Sequence, residues 1–154
     1  MNTWIFQVNP KFFDIDPYLR NNKKIIWEIK QRYLADDILV GDKVYIWRAN
    51  GNVPDSGGVV GVGRIMSLPE DLEDDAPELW IQESPIFPLL CVRIEIDEVR
   101  LTPEAGMLKR SFLKTNPVLK DMLILRFYQK TNYILDDSEE KALDQLWKEN
   151  KRRK

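Results

Sequence analysis

Between residues 90 and 101 the chain alternates, with Val92, Ile94, Ile96 and Val99 apolar and Arg93, Glu95, Asp97, Glu98 and Arg100 interleaved with them. A period of two is that of a β-strand with one face buried and the other wet, so the chain must build a sheet with one covered side here. The alternation slips near Glu98, which predicts a β-bulge. Three more segments are β-prone. Residues 4–8 end at Asn9-Pro10, residues 43–47 follow a Gly41-Asp42 turn signal, and residues 59–66 carry Gly61 and Gly63. Glycines in a strand mark sharp bending or close backbone approach, as the corners of a small closed barrel require. At 154 residues, 44% of them apolar, the chain fits one domain around one core over residues 1–154. The expected class is α+β, a small barrel with peripheral helices.

Helical signals are weaker. Residues 10–22, 33–38 and 117–123 can each hold a turn or two, without strong caps. The last helix is better marked: Asp137 is the expected N-cap with Glu140 three residues on, and Ala142, Leu143, Leu146 and Trp147 share one face. Residues 148–154 carry five basic side chains, read as a solvated tail that complements the helix dipole. Residues 69–85 hold seven acidic side chains (Glu70, Asp71, Glu73, Asp74, Asp75, Glu78 and Glu83) and no basic one. Their prolines and like charges predict a solvated loop. The rest of the chain then carries 23 basic against 18 acidic groups, a mildly basic body behind a net charge of −2.

The absence of histidine removes Ser-His-Asp and Cys-His nucleophile systems and most transition-metal sites. The single cysteine, Cys91, supplies neither a disulfide nor a zinc cluster and suits a reducing compartment. No phosphate-binding loop, nucleophile elbow or dinucleotide fingerprint occurs. The expectation is therefore a non-enzyme with no cofactor, no metal and no catalytic residue. No apolar run approaches membrane-spanning length and the opening MNTWIFQVNP is no signal peptide, so the protein is expected to be cytoplasmic and off the membrane. A carboxylate-dependent modifying enzyme using Asp36-Asp37 or Asp136-Asp137 is the alternative, although each pair reads more simply as a turn or helix cap. A protein-interaction module working through the acidic stretch and basic tail is another.

The aromatics carry the binding reading. Trp27 sits in an apolar triplet among Lys23, Lys24, Lys30 and Arg32, an aromatic face among cations that can stack a base while neighbouring charges hold its phosphates. The competing reading is an ordinary core tryptophan. Trp47 ends a strand beside Arg48 and the Asn50-Gly51-Asn52 turn, and is either a second wall or barrel packing. Trp4 and Trp147 are expected in the core, and Trp80 stays open.

The blocks WIFQVNP, Ile25-Ile26-Trp27-Glu28-Ile29, GDKVYIWRA, GGVVGVGRI and TNYIL before an acid-capped final helix follow the order found in EVE domains, and the chain resembles that family along nearly its whole length. The family is similar to the YTH readers of methylated adenine and to PUA modules. The resemblance implies a PUA-like mixed barrel of five to six strands with a pocket for a flipped, modified base of DNA or RNA. It implies that Trp27 stands at the pocket wall and that Asn9 is a polar pocket position, with Asn9 alternatively a cap before Pro10. Asn9, the backbone near Glu28 and Lys30 or Gln31 are the groups expected to read the base edge, beside Trp47 and Arg48. In relatives such modules occur beside restriction and RNA-modifying enzymes, so a nuclease or nucleic-acid-modifying enzyme is a further expected partner.

Overall fold

The computed structural model describes residues 1–151. The alternating segment is its spine. It forms β6 (Leu89–Val99), which pairs along one side with β2 (Lys24–Glu28) and along the other with β4 (Gly58–Ile65) and the short β5 (Glu70–Leu72). The predicted bulge is present: Val62 pairs with Glu98 and Gly63 with Ile96, leaving Asp97 as the extra residue. Gly63 is required there, because a Cβ would run into the carbonyl of Glu95.

From β4 the sheet continues through β3 (Lys43–Arg48) and β1 (Thr3–Val8) to β8 (Asn132–Leu135), giving the order β2-β6-β4-β3-β1-β8. A two-residue β7 (Leu108–Lys109) joins β4. Among the described residues only β1 and β3 run parallel, so the sheet is mixed and curled. Central β1 and β3 are covered on both faces. Trp4, Phe6, Val44 and Ile46 enter one core cluster, and Ile5, Tyr45 and Trp47 enter another. Double burial explains why these strands read as continuous apolar runs while β6 alternates.

The edge strands β2 and β8 are joined by two side-chain amides in place of a ladder. Asn132, 1% exposed, accepts from the backbone N–H of Lys30 (2.9 Å) and of Gln31 (3.2 Å) and donates to the carbonyl of Glu28 (3.1 Å). Gln31 in turn accepts from the N–H groups of Thr131 (2.9 Å) and Asn132 (2.8 Å). These bonds satisfy edge groups that would otherwise be open and close the half-barrel.

Helices fill the rim: α1 (Ile15–Asn21), α2 (Arg110–Leu113), α3 (Leu123–Arg126) and α4 (Asp137–Glu149), with 3₁₀ turns at Arg32–Asp37, Pro77–Leu79 and Leu119–Asp121. The final helix starts one residue earlier than the sequence indicates. Asp136 is the N-cap and forms a reciprocal capping box with Glu139. The apolar face is as expected, with Leu143 and Trp147 buried. Arg100, 2% exposed, docks this helix by stacking 3.8 Å above the Trp147 ring and donating to the Trp147 carbonyl at 2.7 Å. Of the basic tail, residues 152–154 lie outside the described residues.

The acidic stretch corrects the sequence reading. It is folded: β5 pairs with β6, Leu72 and Ala76 are buried, and Phe13 forms a β-bridge with Trp80. Its apolar residues have a surface to cover, so like-charge repulsion does not decide the outcome.

Candidate functional site

A cavity of about 730 Å³ opens where β1, β2 and β3 end, between α1 and the acidic stretch. The size suits a drug- or nucleoside-sized ligand. One wall is a chain of rings. Phe13 meets Trp80 at 4.8 Å and Tyr18 at 5.2 Å, both edge-on, and Phe87 follows Trp80 at 6.4 Å. Carboxylates pin this wall. Trp80 Nε1 donates to Asp74 at 2.8 Å, whose other oxygen accepts from the N–H of Ala76 at 3.0 Å. The Tyr18 hydroxyl donates to Asp75 at 2.9 Å and accepts from the N–H of Ile26, also at 2.9 Å. Burial is the main reason that both partners of this pair hold their protons more tightly than usual.

Trp27, Glu28 and Cys91 also border the cavity. Trp27 is 7% exposed and belongs to the core cluster of β1 and β2 as well. Glu28 pairs in register with Cys91 across β2 and β6. Burial raises the Glu28 carboxyl above the ordinary glutamate value, and Lys30 and Arg32 partly oppose the shift. Burial first, then the carboxylates of Glu28, Asp75, Asp71 and Asp74, push the Cys91 thiol up to about 12. A thiol so shifted is a poor nucleophile.

At the mouth, Asn9 accepts from the N–H of Lys11 at 3.0 Å, which engages its oxygen and leaves its amide hydrogens for a ligand. Lys30, Arg110, Tyr128 and Lys130 complete the lip. The structure thus brings Asn9, Trp27, Glu28, Lys30 and Trp47 together around one cavity. Trp47 is only 2% exposed and packs in the second core cluster. Gln31 and Arg48 are placed elsewhere. Gln31 closes the barrel, and Arg48 forms an ion pair with Asp16 at 2.8 Å and donates to the carbonyls of Ser56 and Leu101, lining a separate cleft.

Sequence reasoning missed Tyr18, Asp74, Asp75 and Trp80 at the wall and Arg110, Tyr128 and Lys130 at the lip. The lip had a signal. Residues 105–135 hold Lys109, Arg110, Lys114, Lys120, Arg126 and Lys130 against a single acid, Asp121. Among the described residues, no group of three or more His, Cys, Asp or Glu side chains is arranged to hold a metal ion, and no helix is long and apolar enough to cross a membrane.

A mixed half-barrel of this topology, with a cavity at the strand ends, is a PUA-like fold. Residues 2–143 match the EVE domain family model, and the chain belongs to that family. Similar folds occur in a hypothetical protein from Leishmania major (21% identity, 97% of this chain and 96% of that one covered, TM-score 0.67). Human THYN1, solved in complex with 5-methylcytosine-containing DNA, is similar at 13% identity, with 96% and 98% covered and a TM-score of 0.69. The YTH domain of Zygosaccharomyces rouxii MRB1, solved with N6-methyladenosine RNA, is similar at 12% identity, with 95% and 87% covered and a TM-score of 0.57. A comparison with curated proteins finds no match.

Proposed function

We propose that the cavity takes up one modified base from a DNA or RNA strand and that the protein acts by binding, not by turnover. The observation that carries this reading is a nucleoside-sized cavity with a ring wall, a half-buried carboxylate and a basic lip. Rings stack a base for about 1–3 kcal/mol. Burying one methyl group adds about 0.8 kcal/mol. The THYN1 and MRB1 complexes contain 5-methylcytosine and N6-methyladenosine, and both bases present an exocyclic N–H donor. Glu28 is the acceptor for such a donor, Asn9 is a donor for a ring nitrogen or carbonyl, and Lys30 holds phosphate near the mouth. Leaving Glu28 without a donor penalises the wrong base more than a missing methyl does.

The test is titration of the protein with matched single-stranded oligonucleotides, DNA and RNA, that differ only in one 5-methylcytosine or N6-methyladenine. Quenching of tryptophan emission with tighter binding of one modified strand supports the reading. Equal affinity for modified and plain strands refutes it.

The raised carboxyls of Glu28 and Asp75 are what an acid–base enzyme would also use, and they favour that second reading over the Asp36-Asp37 and Asp136-Asp137 pairs. Hydrolysis that copurifies with the protein and is lost in Glu28→Gln would establish it.

A further inference from the structure

We infer that the surface leading out of the cavity across residues 126–130 is a stacking platform for the unpaired nucleotides flanking the bound base, so that the protein engages single-stranded rather than fully paired nucleic acid. The inference rests on the reading of the cavity as a base site. Three exposed rings belong to this surface: Tyr128 (60% exposed), which lines the cavity, Phe127 (60%), its chain neighbour, and Tyr33 (67%), whose hydroxyl is bonded to Lys130 of the lip. Each has a cation beside it, Lys130 at the hydroxyl edge of Tyr33, to which it donates at 2.9 Å. Lys130 lies 5.5 Å from the centre of Tyr33, Arg126 6.0 Å from Phe127 and Arg110 5.8 Å from Tyr128.

Rings with cations beside them are what a single strand needs, since bases stack on the faces while the charges neutralise phosphates. Paired bases keep their faces against each other and cannot use them. The platform is continuous with the cavity, whose lip already includes Arg110, Tyr128 and Lys130. Its charge is complementary to a phosphate backbone. Residues 122–135 contain Arg126 and Lys130 and no acid, and none of the ion pairs among the described residues involves Arg110, Arg126 or Lys130.

The backbone under the rings is fixed. Gln7 donates to the carbonyls of Tyr128 (2.7 Å) and Lys130 (2.6 Å), and the Tyr133 hydroxyl donates to the carbonyl of Phe127 (2.6 Å) and accepts from the N–H of Lys130 (3.0 Å). Two of the cations are held as well, Arg110 by the carbonyl of Leu125 (3.0 Å) and Arg126 by that of Asp121 (3.1 Å). Exposed rings on an anchored loop lose little conformational freedom when a base stacks on them.

The experiment compares the parent with a Tyr33→Ala/Phe127→Ala double variant, two rings that do not line the cavity, on single strands of about ten nucleotides, each with one central 5-methylcytosine or N6-methyladenine. One strand has ordinary flanking bases and the other has abasic flanks with the phosphates kept. The variant is expected to lose about ten- to a hundredfold in affinity for the ordinary strand, one or more lost base–aromatic stacks. It should lose little for the abasic strand and keep the affinity of the parent for the free modified nucleoside. Arg126→Gln should lower the salt slope of the ordinary strand by about one. Equal loss on both strands, no loss on either, or a changed oligomeric state with binding untouched overturns the platform. The base reading fails separately, through a parent that is indifferent to the modification.

Discussion

Residues 69–85 hold seven acidic side chains and no basic one, whereas residues 105–135 hold six basic side chains and one acidic; both border the same cavity. The acidic stretch turns two of its charges to structural work. Asp74 and Asp75 accept from Trp80 and Tyr18 and so hold the ring wall, while Glu70, Asp71 and Glu73 remain exposed. The basic stretch holds its backbone largely through neutral groups such as Gln7 and Tyr133, and of its cations only Lys109 is paired with a carboxylate, that of Asp55, among the described residues, while Lys114, Lys120 and Arg126 stay exposed. The sign of a charged segment therefore says less about binding than whether its charges are consumed by the fold. Neutralising all the acids together would confuse two effects that have opposite signs.

The largest effect separating the two rims is expected at Asp74. Asp74→Ala leaves Trp80 Nε1 and the N–H of Ala76 without their acceptor, at a cost of about 1–3 kcal/mol in stability. It should also weaken base binding by freeing the wall. Thermal melts and titrations of the purified variant check this, and a variant as stable and as tight as the parent would break the comparison.

A smaller effect follows from Glu28. Its folded value lies above the unfolded one, so the protonated form favours the folded state. That contribution is present below the ordinary glutamate value and is lost as pH rises through the raised one. At neutral pH the ionised group is a burden on the fold, and Glu28→Gln should raise the melting temperature there but not in acid. Binding has the opposite dependence. A carboxylate acceptor is needed, so the affinity of the parent for an amino-bearing base should fall as pH drops through the raised value, and the Gln variant should lose that pH dependence.

The smallest effect belongs to the outward acids. Neutralising Glu70, Asp71 and Glu73 while keeping Asp74 and Asp75 should tighten oligonucleotide binding only a few-fold, by about the scale of screened surface charges. The gain should vanish at high salt and leave base preference unchanged. Measured affinities at two salt concentrations decide it.

What was legible in the sequence was what depends on neighbours in the chain. The alternation of β6, the bulge beside Glu98 and the doubly covered runs of β1 and β3 are all local patterns. β2 and β8 were not read as strands because each is short and is completed by a partner far along the chain, β6 for one and β1 for the other. The site failed to be legible for the same reason. Trp80 becomes a wall only because Phe13 lies across from it. Arg48 is taken out of the cavity by Asp16, and Gln31 by backbone groups of Thr131 and Asn132 about a hundred positions away. Cations beside an aromatic in sequence pointed to Trp27, yet the cations with free rings beneath them are those of the later basic stretch.

Trp80 offers the most direct test of the cavity, because it is only partly buried while Trp47 is 2% exposed. Affinities of the parent and of Trp80→Ala for matched modified and plain single strands should be measured beside thermal melts, with Trp47→Ala as the core control. The account predicts a folded Trp80→Ala that loses about ten- to a hundredfold in affinity for the modified strand, along with most of the preference for it. Trp47→Ala should lose about 3–5 kcal/mol of stability. A folded Trp80→Ala that binds both strands as the parent does would contradict the claim that a base stacks in this cavity.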